Sequence, residues 1–304
     1  MKEPHNLFDN TLFNVEHALV MYALSNCILR AEDIYDKQVI ANLMSAIKKC
    51  HIYIIGFQPK IYFIEAKQHL NRISLKFSIL GHEYTIENNL PDGARISIGE
   101  EFYLIDRQGN KFVPNMSAIQ AQLSRESNAI NFEVKYIGQA LGKNGSRNAI
   151  DRLLRHETLQ KISLKGVPDG YQLNILLLEV HPNPMLCTMF LPHAKNNESS
   201  SSRIKAGIDK LYGTNEQEQI SLYEAALIRY FSPQFNKEFK SSFPSTNIKI
   251  LQDCYKKDFS AVVAEINFDD LPFKLFSDTV EASSSHIAKF DLHDDFARKV
   301  FFGK

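Results

Sequence analysis

The sequence predicts an α+β fold with more than one domain, and three observations carry that expectation. The chain has 304 residues, 44% of them hydrophobic, enough to bury one good core and to build more than one domain. Apolar residues recur at period two in some stretches and at helical spacing in others. No stretch repeats itself along the chain, which excludes a solenoid or propeller.

Residues 1–99 predict an N-terminal α+β region. Within it, residues 14–30 and 36–49 read as helices, residues 51–66, 73–80 and 84–87 as strands, and Asn89-Leu90-Pro91-Asp92-Gly93 as a turn. Residues 100–245 form a central domain. Residues 246–304 form a C-terminal α+β extension, with a strand pattern over 259–268 and a short amphipathic segment over 291–302.

The chemistry-bearing residues fall in the central region. Phe132, Val134 and Tyr136 alternate with polar neighbours until Ile137 breaks the pattern, so this stretch reads as a half-buried strand carrying Tyr136. Gly138 lets the backbone leave the strand or lets a ligand approach closely. Next, residues 146–162 place Ile150, Leu153, Leu154, Leu159 and Ile162 at helical spacing, with Ser146 as cap. On one such helix Arg152 and His156, four apart, share a face and can act on one bound group. A guanidinium suits phosphate geometry, and a histidine can hydrogen-bond or move a proton near neutral pH. A solvated basic face fits the same residues.

A second helical stripe, Ile220, Tyr223, Leu227, Ile228 and Phe231, contains Glu224. A carboxylate on a core-facing stripe is ion-paired, protonated or metal-bound, because desolvating an unpaired charge is costly. Ser232-Pro233 ends this helix, and Asn236 falls in the turn that follows. A strip from 135 to 165 carries seven Lys or Arg against two acidic residues, including Lys135, Lys143, Arg147 and Arg155. Such a strip suits a polyanion, although the formal net charge of the whole chain is zero.

Taken together, Tyr136-Ile137-Gly138, Arg152, His156, Glu224 and Asn236, in this order on strand, helix, helix and turn, resemble the GIY-YIG family of metal-dependent DNA endonucleases. The resemblance covers roughly residues 102–236. It implies a small mixed β-sheet flanked by helices, with Tyr136, Arg152, His156 and Asn236 in the site and Glu224 holding one divalent metal, Mg2+ or Mn2+. No Gly-Ile-Tyr stands just upstream of Tyr136, so the first-strand tyrosine is expected at Tyr103, in Glu101-Phe102-Tyr103-Leu104-Ile105-Asp106. The implied activity is hydrolysis of DNA phosphodiester bonds, in restriction or phage defence. The alternative is a GIY-YIG-like nucleic-acid-binding or assembly subunit that does not cut. The basic residues Lys135, Lys143, Arg147 and Arg155 are the expected DNA contacts. The N-terminal region would position DNA, bind a protein partner or pair with a second copy.

Cys27, Cys50, Cys187 and Cys254 lie far apart, which argues against a zinc ribbon or a disulfide framework. The apolar stretch 18–29 contains Ser25 and Asn26 and is too short to span a bilayer, and Met1-Lys2-Glu3-Pro4-His5 lacks a signal-peptide pattern. A cytoplasmic protein that does not engage membranes is the expectation.

Overall fold

A computed structural model describes residues 11–98, 102–140, 149–244, 248–268 and 271–302. The fold is α+β, as expected, but the body is built on one large sheet and not a small one. Strand β1 (Val15–Arg30) leads through a 3-10 turn, residues 31–35, and helix α1 (Lys37–Ile47) to β2 (Ile52–Pro59). Residues 60–131 then leave the sheet, and β9 (Phe132–Gln139) returns to pair antiparallel with β2. Helices α3 (Ala149–Leu153) and α4 (Glu157–Lys165), strands β10 (Tyr171–Val180) and β11 (Met185–Phe190), and helices α5 (Ser200–Gly213), α6 (Glu216–Phe231) and α7 (Lys249–Lys256) follow. The chain closes with β12 (Ala261–Asn267), β13 (Leu275–Ser277), β14 (Val280–Ser283) and β15 (Ser285–Asp291).

The sheet has nine strands in the order β14-β13-β9-β2-β10-β1-β12-β15, with β11 also paired to β1. It is mixed: β1 runs parallel to β12 and β9 runs parallel to β13, while the other pairs are antiparallel. Successive β2 side chains alternate between two cores. Ile52 and Ile54 join Leu176, Leu178 and α6 on one face, whereas Tyr53, Ile55 and Phe57 join Ile175, Leu177, α1, α3 and α4 on the other. Strands of all three expected regions enter this sheet, so the expected cuts at 99/100 and 245/246 do not fall between sheets. The segment that stands apart is the one inserted between β2 and β9. It contains β3 (Tyr62–His69), β4 (Arg72–Ile79), β5 (His82–Asn89), β6 (Arg95–Ile98), β7 (Phe102–Ile105), β8 (Lys111–Phe112) and α2 (Met116–Glu126) in two three-stranded sheets. A core of its own holds it, including Ile73, Leu75, Phe77, Ile86, Ile119 and Leu123.

Two expected helices change form. Residues 14–30 form a strand: β1 sits between β10 and β11 on one side and β12 on the other, and its first five residues are buried. A continuous apolar run reads alike as buried strand or buried helix, and pairing on both sides decides for the strand. Of the expected helix over 146–162, the described part from Ala149 on is two helices with a break at residues 154–156, and the expected cap Ser146 lies outside the described residues.

A charge cluster ties distant parts of the chain together. The Glu16 carboxylate, fully buried, accepts from Arg203 Nη2 at 2.6 Å and from Arg298 Nε at 2.7 Å. Both guanidiniums also reach Asp258, and both lie over the Phe13 ring. No helix among the described residues is long and apolar enough to cross a membrane.

Candidate active site

Strand β9 carries a bulge that explains its broken sequence pattern. Ile55 pairs with Tyr136 and Gly56 with Val134, so Lys135 is an extra residue. Phe132, Val134 and Ile137 therefore face α6, while Tyr136 turns to the α3 and α4 face. The outer edge of β9 pairs with β13 only at Phe132 and Glu133. Beyond that point the turn after α6 replaces a strand. Phe235 N donates to Lys135 O at 3.0 Å, and the Asn236 side chain closes two bonds with Ile137, accepting from its N and donating to its O, each at 2.9 Å.

Along this edge opens a cleft of about 550 Å³, lined by Tyr136 and Gln139 of β9, Arg152 of α3, Glu157, Thr158 and Lys161 of α4, Glu224 and Ile228 of α6, and residues 235–239. Glu224 reaches it from the middle of α6, which is anchored by the buried Leu222, Tyr223, Ala225, Ala226 and Leu227 around it. The Asn215 side chain caps the start of α6, and Ser232 in the left-handed region ends it ahead of Pro233. The Glu224 carboxylate accepts from Gln139 Nε2 at 2.8 Å. Burial pushes its pKa up to about 7, against the hydrogen bond from Gln139 and the positive charge of Arg152.

On the other side of Tyr136 lie two rings, His156, which the sequence grouped with it, and Tyr53, which the sequence did not. Tyr53 of β2 stacks near Tyr136 with ring centroids 6.1 Å apart, and His156 meets both, at 5.1 Å from Tyr136 and 5.5 Å from Tyr53. Gly138 is opposite Tyr53 in the register, and a Cβ there would meet the Tyr53 hydroxyl at 2.5 Å. The glycine thus makes room for a phenol and not for a ligand. The fully buried Tyr53 hydroxyl closes no hydrogen bond of good geometry among the described residues. Burial raises the pKa of Tyr136, and the Glu224 charge adds to that rise. Burial lowers that of His156, helped by Arg152, and its Nδ1 accepts from Leu159 N as the cap of α4. His156 is therefore a neutral ring with its proton on Nε2.

The structure brings Tyr136, Arg152, Glu224 and Asn236 to one cleft. His156 packs behind Tyr136 and is held there as a helix cap, not on a shared helix face with Arg152, because the helix breaks between them. Tyr103 is placed elsewhere. It lies on β7 in the inserted segment, beneath Lys111 Nζ at 5.3 Å, and the tyrosine that faces Tyr136 is Tyr53. Residues 60–131 separate the two paired strands, which hid their pairing from a search just upstream of Tyr136. Lys135 is also redirected: its side chain is buried, paired with Glu133 and set over the Phe57 ring, so it is not a surface DNA contact. Arg155 is exposed. Lys143 and Arg147 lie outside the described residues. Gln139, Lys161 and Glu238 join the cleft without a sequence signal of their own, since only the fold sets them beside Glu224.

Asn236 acts through the backbone of β9. Asn236→Ala removes both bonds to Ile137 and leaves a buried strand edge unpaired, for an expected loss of about 1–3 kcal/mol in a denaturant titration. An unchanged midpoint would separate this side chain from the placement of β9.

Among the described residues, no group of three or more His, Cys, Asp or Glu is arranged to hold a metal ion. Magnesium needs less, since it keeps several waters and takes one or two carboxylates. The half-buried Glu224 carboxylate, whose charged form burial disfavours, fits one hard cation that restores that charge balance, with Glu238 on the same cleft wall. No protein-family model, curated protein or solved structure matches the chain.

Proposed function

We propose that the chain is a metal-dependent endonuclease of the GIY-YIG type that hydrolyses DNA phosphodiester bonds in the cleft beside β9. One observation supports this above the others: Tyr136, Arg152 and Glu224, from a strand and two helices, converge on one open cleft. The adjacent antiparallel placement of Tyr53 and Tyr136 agrees with it, and in this reading His51-Ile52-Tyr53 stands where the family has Gly-Ile-Tyr.

In this reading each residue has a physical task. Glu224, with water, would hold the divalent metal, and a bound metal of this kind neutralises a phosphate oxygen and the leaving oxygen. Arg152 binds the phosphate and stabilises the charge that builds on it. Tyr136 stays a neutral phenol at pH 7, because burial and Glu224 hold its pKa up, so it orients the attacking water by hydrogen bonding. His156 keeps the Tyr136 ring in place from behind. Asn236 and the bulge at Lys135 fix the edge of β9, and with it the aim of Tyr136.

The test is conversion of supercoiled plasmid to nicked or linear DNA by purified protein with magnesium, with and without chelator. Arg152→Ala is expected to lower the rate by about 100-fold or more, the usual effect of removing one donor to a transition-state charge. DNA binding with no cutting under any divalent metal would discard the nuclease reading in favour of a binding subunit.

A further inference from the structure

The end of β9 docks on one face of α6. Gln217, Ser221 and Glu224 stand four and three residues apart on that helix, so they share a face, and the Gln139 side chain lies along it. Gln139 Nε2 donates to Glu224 Oε2 at 2.8 Å and to Ser221 Oγ at 3.2 Å, while its Oε1 accepts from Gln217 Nε2 at 3.1 Å. The Ser221 hydroxyl gives its proton to Gln217 O at 2.9 Å, which leaves its oxygen as an acceptor toward Gln139. These bonds fix which way the amide points. Turned over, it would set its oxygen against the carboxylate and its nitrogen against the donating amide of Gln217.

A carboxylate that ligates a metal by one oxygen binds best when its other oxygen is already held, because a side chain free to rotate loses that freedom on binding. Gln139 supplies such a hold from a neighbouring strand. Its anchor is the paired edge of β9, where Gln139 stands opposite Ile52 between the buried Gly138 and Ala140. The neutrality of the donor matters as much as its place. A Lys or Arg there would cancel the Glu224 charge and compete with a cation for it, whereas a carboxamide fixes the oxygen and leaves the negative charge standing. The backbone N–H of Gln139 also favours the charged carboxylate.

We propose that Gln139 is a positioning residue for the metal ligand Glu224, holding the carboxylate by Oε2 so that Oε1 meets the divalent cation, with Gln217 and Ser221 fixing the Gln139 amide. This role rests on the reading of Glu224 as the metal ligand, and it is read from metal binding as well as from cleavage. Loss of such an outer partner weakens metal binding by about 10–100-fold.

The experiment follows the melting temperature of the full chain across a magnesium titration at one alkaline pH, with plasmid cleavage measured on the same samples, for the wild type, Gln139→Met, Gln139→Lys and Gln217→Ala. Methionine matches glutamine in length and donates nothing. Its magnesium midpoint is expected to lie at least about 10-fold above that of the wild type, with the melting temperature in chelator unchanged. Cleavage should fall at low magnesium and recover as magnesium passes the new midpoint. Lysine restores a donor but brings a charge, so Gln139→Lys should show no magnesium-dependent rise in melting temperature. Gln217→Ala, a surface change, should move the midpoint in the same direction by less, and it decides the matter should the methionine variant fail to fold. A midpoint equal to that of the wild type in the deciding variant overturns the positioning role and makes Gln139 a structural link between β9 and α6, while plasmid cleavage by the wild type keeps the nuclease reading standing. A shifted midpoint in a protein that cuts no DNA under any divalent metal supports the positioning role and discards the nuclease reading. A wild type whose melting does not respond to magnesium overturns the positioning role together with the metal role of Glu224.

Discussion

Glu224→Gln is expected to abolish magnesium-dependent cleavage while making the metal-free protein more stable at alkaline pH. Glutamine keeps the shape of the side chain and still accepts from Gln139 Nε2, but it lacks the charge that holds a hard cation. The stability sign follows from the raised acid. Its folded pKa, about 7, lies above the ordinary 4.5, so the carboxyl contributes stability in full below 4.5 and loses it as the pH rises through 7. At pH 8 the wild type carries a disfavoured buried charge, with a cost on the order of 3 kcal/mol, and the glutamine variant does not. Melting in chelator should therefore favour the variant at pH 8, and the gap should close by pH 4. Added magnesium should raise the wild-type melting temperature and leave that of the variant where it was. A variant that melts well below the wild type at pH 8 and still cuts would refute the metal role and make Glu224 a structural partner.

Glu16→Gln is expected to be among the most damaging single changes outside the cleft. Glu16 and Asp258 face Arg203 and Arg298, two anions against two cations, and Glu16 is fully buried. Glutamine leaves two buried guanidiniums to share the one carboxylate of the partly exposed Asp258, and breaking a buried pair costs about 3–5 kcal/mol. Removing a matched pair instead, Glu16→Met with Arg203→Met, should recover much of that loss, and a double variant no better than Glu16→Gln would show that packing and not charge is at stake. The same cluster sets an acid limit. Burial would raise the Asp258 pKa, but hydrogen bonds from Arg203 and Arg298 outweigh it and hold the group below its ordinary range. Its contribution is present above the ordinary carboxylate range and lost as the pH falls through the folded value, so the wild-type melting temperature should drop steeply on the acid side.

The local features were largely legible. Helix α6 with its Glu224, the stop at Ser232-Pro233, helix α1 and strands β4 and β5 all follow from patterns confined to a few neighbouring residues. Residues 14–30 were misread because an apolar run has the same composition in a buried strand and a buried helix, and only pairing with β10, β11 and β12 separates the two. Helix α7 buries Ile250, Leu251 and Cys254 within only eight residues, too short a stretch for a helical period to stand out in the sequence.

The sequence by itself determined that Tyr136, Arg152, Glu224 and Asn236 occur in this order on a strand, two helices and a turn, since propensity, spacing and proline act locally. What the tertiary structure decided is which of the candidates meet. The bulge at Lys135 turned Tyr136 away from the face of Val134, and the β2–β9 pairing brought in Tyr53 across residues 60–131 while leaving Tyr103 in another sheet. The reason is physical: strand register and bulge position are set by hydrogen bonds between segments far apart in the chain, and a one-residue change in either exchanges the faces of every side chain beyond it.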